Sequence, residues 1–201
     1  MDLDTLLAKR RSLREFDETH VMPDEDLHAI IDAVRKTPTS FNIQNWRIVA
    51  IRDRGIKEKL KRVAWDQAQV GINSALFVLC GDIKAWDKNP ERYWEANGSD
   101  TAAHMSNMTR GFYKGRDAVQ RDEVMRSVGM AATALMLKAV DLGYATSPMI
   151  GFDAGEAAKI VNAPDDIVVG MMIAVGKSTG TPYPKTELPR GEVMVYDFFP
   201  A

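Results

Sequence analysis

The sequence predicts an α+β fold, built as one domain over residues 1–201, and three observations lead to that prediction. The chain has 201 residues, which is enough for a single domain with a substantial core. Segments with the periodicity of helices alternate irregularly with about four segments that are typical of strands. The connections lack the even strand–helix–strand rhythm of a doubly wound parallel sheet.

The first part of the chain predicts two strands among amphipathic helices. Leu27, Ile30 and Val34 recur at the spacing of one helical face. Residues 74–82 (SALFVLCGD) form an unbroken apolar run, which is typical of a strand buried on both sides. The predicted helices cover residues 2–11, 22–37 and 55–65, and the predicted strands cover residues 46–53 and 74–82.

The second part predicts one long helix, a shorter helix and two strands. The long helix carries small residues between Gly129 and Ala134, which suit close packing, and Gly143 suits its C-terminal end. Residues 83–115 mix aromatic residues with charges and glycines and give no clear assignment. The predicted helices cover residues 122–143 and 153–162, and the predicted strands cover 166–176 and 192–198, the last without an obvious partner.

Composition and charge exclude several classes of function. The net charge is −2, so no overall positive field draws the protein to nucleic acid or to an anionic membrane. No stretch approaches the roughly 20 apolar residues of a membrane span, and the N-terminus does not resemble a secretory signal. The single cysteine, Cys80, lies in an apolar run and is expected in the core. We therefore expect a protein of the reducing cytoplasm, with neither nucleic acid nor membrane as a partner.

Metal, nucleoside triphosphate and hydrolase chemistry find little support in the sequence. His20, His28 and His104 are far apart and lack the spacing of metal ligands, so no metal site is expected. Five residues separate Gly170 from the GKS that begins at Gly176, where a phosphate loop needs four. No serine lies in a GxSxG turn.

Four short segments remain as candidates for ligand binding. Residues 9–17 (KRRSLREFD) hold four basic side chains and a serine. They form either a solvated helix end or a phosphate-binding site. Residues 37–51 (TPTSFNIQNWRIVAI) place hydroxyls and amides before a strand, where they cap turns or match the edge of a flat heterocycle. Residues 147–161 contain Pro148 and Gly151 just before a predicted helix. Residues 183–193 carry Lys185 and Arg190. A local basic cluster in a slightly acidic protein favours a small anionic ligand.

Together, and in this order, the four segments resemble the FMN-dependent nitroreductase family over nearly the whole chain. The resemblance implies a central, mainly antiparallel sheet flanked by helices, in an intertwined homodimer with two FMN molecules at the interface. It also implies that FMN takes a hydride from NAD(P)H and passes electrons to nitroaromatics, quinones or related small-molecule acceptors. No side chain is assigned a catalytic role, because the cofactor carries the chemistry.

The resemblance also assigns residues to the cofactor. Arg10, Ser12, Arg14 and Lys185 match the phosphate contacts, and Arg10 and Arg14 would share one face if the first helix continued. Arg11 and Lys9 are less well placed and are alternatively solvated. The loop 38–42 matches one that reaches FMN from the partner chain, residues 66–69 match the pyrimidine edge, and 148–151 match the stretch against the ring. The expected cofactor-binding residues are Arg10, Arg11, Ser12, Arg14, Pro38, Thr39, Ser40, Asn42, Gln67, Gln69, Pro148, Met149, Ile150, Gly151, Lys185 and Arg190.

Three positions depart from what other family members carry. Gln69 stands where some have lysine. The neutral glutamine would stabilise the reduced, anionic flavin less than the lysine does. Ile150 stands where others have glutamate, so only the backbone role carries over. Glu187 stands where others have arginine, and Arg190 is an alternative phosphate contact.

The sequence leaves several functional alternatives open. A flavin enzyme of the same fold with different chemistry, such as reductive dehalogenation or flavin fragmentation, is one. A flavin-binding redox sensor without catalysis is another. Residues 83–115 form either a lid over the flavin or a surface helical excursion. Neither the acceptor nor a preference between NADH and NADPH can be read from the residues.

Overall fold

Four antiparallel strands form the centre of the molecule in the computed structural model, which describes residues 1–199. The strands lie in the order β1-β2-β4-β3, so β1 and β3 are the two edges of the sheet. This confirms the predicted α+β class with a mainly antiparallel sheet. The strands are β1 (Trp46–Ile51), β2 (Ala75–Asp82), β3 (Ala145–Met149) and β4 (Ile167–Gly176).

Eight helices surround the sheet in the described part of the chain. The longest, α6, has 25 residues and begins five residues before the predicted start at 122. Gly143 follows it with φ of +79°, the left-handed conformation expected of a residue that ends a helix. The helices are α1 (Leu3–Lys9), α2 (Asp24–Val34), α3 (Arg54–Val63), α4 (Ala68–Gly71), α5 (Ser99–Tyr113), α6 (Asp117–Asp141), α7 (Ala154–Ile160) and α8 (Arg190–Val193).

The core has two halves because β2 is covered on both faces. Phe77 and Leu79 pack with residues of α2 and α6, whereas Leu76 and Val78 pack with residues of α3 and α7. All eight residues of β2 are buried. This explains the unbroken apolar run in the sequence, since a strand buried on one face alone would alternate.

The region that gave no clear assignment contains two short 3₁₀ turns followed by α5. The turns are Pro90–Tyr93 and Glu95–Asn97. The carboxylate of Glu91 accepts hydrogen bonds from the guanidinium of Arg110 at 2.7 and 3.3 Å, which joins the first turn to α5.

The strands differ from the sequence prediction in two places. Strand β3 was not predicted, because Pro148 interrupts its pattern; proline is tolerated there because β3 is an edge strand. The predicted strand 192–198 is absent from the described residues of this chain. Arg190–Val193 form α8 instead, and residues 181–199 are exposed without a neighbouring strand to pair with.

Candidate functional site

A basic cleft is lined by most of the residues expected to hold a phosphate. Its volume is about 220 Å³, and it opens between the segment after α1 and the C-terminal segment. Lys185 therefore lines the same cleft as Arg10 and Arg14 of its own chain. Arg190, at the start of α8, does not line this cleft. The lining residues are Arg10, Arg11, Ser12, Arg14, Tyr183, Pro184 and Lys185.

An extended backbone, and not a helix, brings the cluster together. Helix α1 ends at Lys9, and Arg10 follows in an extended conformation. The Leu13 N–H donates to the carbonyl of Thr146 on β3 at 3.0 Å, and Ser12 pairs with Thr146 in a parallel bridge. The expectation that Arg10 and Arg14 share a helical face is therefore wrong. In an extended segment every second side chain points to the same side, which brings Arg10, Ser12 and Arg14 to one side, while Arg11 turns back toward the end of α1 and also lines the cleft.

The two other charged groups of the cleft have partners of their own. The guanidinium of Arg11 donates to the carbonyls of Ala8 at 2.6 Å and Arg10 at 3.0 Å, so it also closes the end of α1. The ammonium of Lys185 lies 3.1 Å from the carboxylate of Glu187. Arg10 and Arg14 are thus better suited than Arg11 to a small anion.

A polar edge forms where the residues predicted to contact the ring meet. The side-chain amide of Gln67 donates to the carbonyl of Gly151 at 2.7 Å, and the amide of Gln69 donates to the Gln67 carbonyl oxygen at 2.9 Å. Within residues 1–199 the N–H of Gly151 donates to no acceptor. The next residue back, Ile150, is 74% exposed. Carbonyl, amide and free N–H groups together match a flat ring whose edge carries donors and acceptors.

Strand β3 connects the basic cleft to the polar edge. Thr146, which pairs with Ser12, lies three residues before Met149 on the same strand. At about 3.3 Å per residue, that is a distance of roughly 10 Å. Pro148 and Met149 lie between the two features, and Met149 is buried in the core. The basic cleft and the polar edge therefore lie near the two ends of the same strand.

Trp65 is a residue of this site that the sequence analysis missed. The residue is 71% exposed, and its backbone has φ of +54°, followed by Asp66 with φ of +56°. The indole Cζ3 lies 2.8 Å from the position that a β-carbon on Gly151 would occupy. The sequence feature that could have identified Trp65 is its position directly before Asp66, Gln67 and Gln69.

The loop at residues 38–42 does not line the basic cleft of its own chain. Its 3₁₀ turn, Ser40–Asn42, contains Phe41 and Asn42, both with φ of +51°. The side-chain amide of Asn42 donates to the carbonyl of Tyr93 at 3.3 Å. Non-glycine residues in this left-handed region are uncommon and are held there by their surroundings.

Aromatic rings of the excursion 83–115 pack on this loop. The ring of Phe41 lies 5.6 Å from that of Phe112 and 6.1 Å from that of Tyr113, measured between centroids. Burial raises the pKa of the Tyr113 phenol, so this ring stays neutral at physiological pH. The loop and the excursion thus form one packed unit.

Within residues 1–199, no group of three or more His, Cys, Asp and Glu side chains is arranged to hold a metal ion. No helix in that range is both long enough and apolar enough to cross a bilayer.

Comparison with known proteins identifies the family. A model described as "Nitroreductase family" matches residues 7–177. The chain belongs to the nitroreductase family. The matched range contains the basic cluster, the loop 38–42 and the polar edge of the nitroreductase, and it ends before Lys185.

Individual relatives extend over most of both chains. The chain is 40% identical to Protein DrgA of Synechocystis sp., over 89% of this chain and 85% of DrgA. It is 35% identical to MhqN of Bacillus subtilis, named as an NAD(P)H nitroreductase, over 86% of each chain. It also resembles a protein of Exiguobacterium sibiricum assigned as a nitroreductase and solved in complex with FMN. That structure has a TM-score of 0.91 and 25% identity, and the match covers 98% of both chains.

Proposed function

We propose that this nitroreductase binds FMN, takes a hydride from NAD(P)H and reduces nitroaromatic, quinone or related acceptors by a ping-pong mechanism. The observation that carries the proposal is that β3 places a basic cleft near one of its ends and a polar edge near the other. The FMN complex of the Exiguobacterium sibiricum relative and the NAD(P)H nitroreductase name of MhqN support it.

The basic cleft suits the phosphate of FMN. A phosphate monoester carries close to two negative charges at neutral pH. The cleft offers arginine forks, which bond phosphate oxygens in pairs, together with a lysine ammonium and the Ser12 hydroxyl. We assign Arg10, Ser12, Arg14 and Lys185 to this phosphate, and Arg11 chiefly to the end of α1.

The polar edge suits the isoalloxazine ring. Gln67 and Gln69 would bind its pyrimidine edge, while Pro148, Met149 and Ile150 would lie along it. The N–H of Gly151 is free to donate to a ring nitrogen. Bound FMN would supply the hydride transfer, and the chain would supply position and electrostatics. Gln69 is neutral where some family members carry a lysine, so this chain adds no positive charge there.

We propose that nicotinamide and the electron acceptor bind in turn at the same exposed surface. Ile150 is 74% and Trp65 is 71% exposed beside the polar edge, so a flat apolar surface is available to nicotinamide and then to an aromatic acceptor. We propose that the packed unit of loop 38–42 and the excursion 83–115 closes over this surface.

We propose a homodimer in which each FMN is held by both chains. Residues Tyr196, Phe198 and Phe199 are 78–84% exposed in the single chain, which is costly for aromatic side chains in water. Strand β1 is an unpaired edge, and beside it lies an apolar groove lined in part by Leu27, Ile31, Trp46 and Ile48. A partner's C-terminal segment fits this edge and would bury these rings.

Exposed small residues on α6 supply a second argument for the dimer. A β-carbon on Gly129 would meet no heavy atom within 4 Å, and Met130 and Thr133 lie exposed nearby. A second helix can approach such a surface closely. We place the protein in the reducing cytoplasm, and the single cysteine, Cys80, which is free and buried, is consistent with that location.

Steady-state kinetics test the catalytic proposal. Initial rates measured at several NADPH or NADH and acceptor concentrations are expected to give parallel double-reciprocal lines, with a nitroaromatic and with a quinone. Intersecting lines contradict the ping-pong mechanism. Rapid reduction of the flavin without turnover of either acceptor contradicts the substrate class.

Mixed dimers test the shared site. Arg10→Glu and Asn42→Arg are each expected to lose FMN when purified alone. After unfolding, mixing and refolding, about half of the dimers are mixed, so roughly a quarter of all sites should regain FMN. No recovery, with mixed dimers shown by mass, contradicts a site built from two chains.

A further inference from the structure

Glu123 is a carboxylate that α6 buries, with 7% of the residue exposed. Its Oε1 accepts a hydrogen bond from the backbone N–H of Ser40 at 3.1 Å, across 83 residues of sequence, and one from the hydroxyl of Ser127 at 3.3 Å. Its Oε2 lies 3.5 Å from the guanidinium of Arg126. A buried carboxylate is costly unless it is paired and hydrogen-bonded, so these contacts explain how it persists. They also tie the loop 38–42 to the longest helix.

The loop that Glu123 holds is conformationally demanding. Phe41, Asn42 and Gln44 all have φ between +41° and +51°. Such residues persist only where the surroundings over-determine them. One restraint is the Thr39 hydroxyl oxygen, which accepts from the Gln44 N–H at 2.9 Å. The Glu123 contact adds a second restraint at Ser40, the first residue of the turn.

We infer that Glu123 is a positioning residue for FMN, which acts by fixing loop 38–42 in the conformation that contacts the cofactor. The inference rests on the proposed function, because it takes Ser40 and Asn42 as cofactor-binding residues. Without its anchor, the loop would populate the binding conformation only part of the time. The apparent FMN affinity falls in proportion to that fraction.

Four variants of the full-length dimer separate positioning from general stability. Glu123→Ala removes the acceptor, whereas Glu123→Gln keeps an amide oxygen that can accept from Ser40. Asp122→Ala is the matched control, because Asp122 is an exposed carboxylate adjacent on α6, 3.9 Å from Arg126. Val124→Ala is the stability control, because Val124 is fully buried in the core on the same helix.

FMN affinity, measured by fluorescence titration of the apoprotein, is the main readout, with Tm as the second. We expect Glu123→Ala to weaken FMN binding about tenfold, or about 1.4 kcal/mol. Glu123→Gln should stay within about threefold of the wild-type affinity, and Asp122→Ala should match wild type. Val124→Ala should lower Tm without this loss of affinity. If Glu123→Ala does not fold, Glu123→Met replaces it, since it keeps the side-chain length without the acceptor.

The outcomes distinguish the inference from the proposed function. Unchanged FMN affinity in Glu123→Ala overturns the inference, as does an equal loss of affinity in Val124→Ala at an equal Tm. Wild-type protein that binds no FMN overturns the proposed function itself, whatever the variants do.

Discussion

The indole of Trp65 occupies the space that a β-carbon on Gly151 would need, with Cζ3 only 2.8 Å from that position. Gly151 does not have a positive φ, so its backbone tolerates any residue. The close approach of the indole, and not the turn of the chain, therefore favours glycine at this position. The same glycine receives a hydrogen bond from Gln67 on its carbonyl. Trp65, Gln67 and Gly151 thus form one fitted contact at the polar edge.

Gly151→Ala is expected to displace Trp65 or Gly151 and to weaken FMN binding about tenfold. The double variant Trp65→Ala, Gly151→Ala should recover much of the loss, because the small side chain leaves room for the new methyl group. FMN titration of the four proteins in the cycle measures the coupling between the two residues. Additive losses would show that the steric fit has no influence on the cofactor.

Arg10→Ala and Arg14→Ala should each weaken FMN binding by about 1.5–3 kcal/mol, or roughly ten- to a hundredfold, through loss of a charge-assisted contact. Arg11→Ala should affect FMN much less and lower Tm instead, because Arg11 donates to two carbonyls at the end of α1. Titration with FMN and thermal unfolding separate the two effects. Equal losses of affinity at all three positions would mean that the cluster acts only through its total charge.

The sequence predicts the buried parts of the fold well because burial leaves a local pattern. Strand β2 is an example, since its apolar run directly reflects cover on both faces. Strand β3 has no such pattern: Pro148 breaks it, and its partners β4 and Ser12 are distant in sequence. The C-terminal segment is similar, because a strand pattern produces a strand only where a partner edge is available.

The candidate site could be predicted as a set of residues but not as a geometry. The spacing of Arg10, Ser12 and Arg14 is informative only once the segment is known to be extended, and that depends on its pairing with Thr146. Glu123 could not be predicted from the sequence, because its contact with Ser40 depends on how α6 crosses the loop.

Cys80 is predicted to be inert in the native protein. It is 1% exposed, and burial raises the pKa of its thiol to about 11. At pH 8 only about one thiol in a thousand would be ionised, and the thiolate is the reactive form. A chromogenic thiol reagent should therefore react only as fast as the protein unfolds, and should release one equivalent in denaturant. Rapid labelling of native protein would contradict this.

Acid should weaken the first turn of the excursion. The Arg110 guanidinium lowers the pKa of Glu91 below its ordinary value of 4.5. A depressed pKa contributes stability that is complete above about pH 4.5 and is lost as the pH falls through the folded value. The difference in unfolding free energy between wild type and Glu91→Gln should therefore be largest near pH 6 and shrink with acid. Urea unfolding across this range measures it, with exposed Glu95→Gln as the control. A constant difference would exclude the ion pair as the cause.

The identity and behaviour of the bound cofactor test the central claim most directly. Purified protein, reconstituted with flavin if necessary, should show the absorbance of an oxidised flavin, and mass spectrometry of the released cofactor should give FMN and not FAD. FMN is expected rather than FAD because the sequence lacks a GxGxxG dinucleotide fingerprint and the basic cleft is compact. Under anaerobic conditions, NADH or NADPH should bleach this absorbance, and a quinone should restore it. Release of FAD, failure to retain any flavin, or absorbance unchanged by both nucleotides would contradict the account.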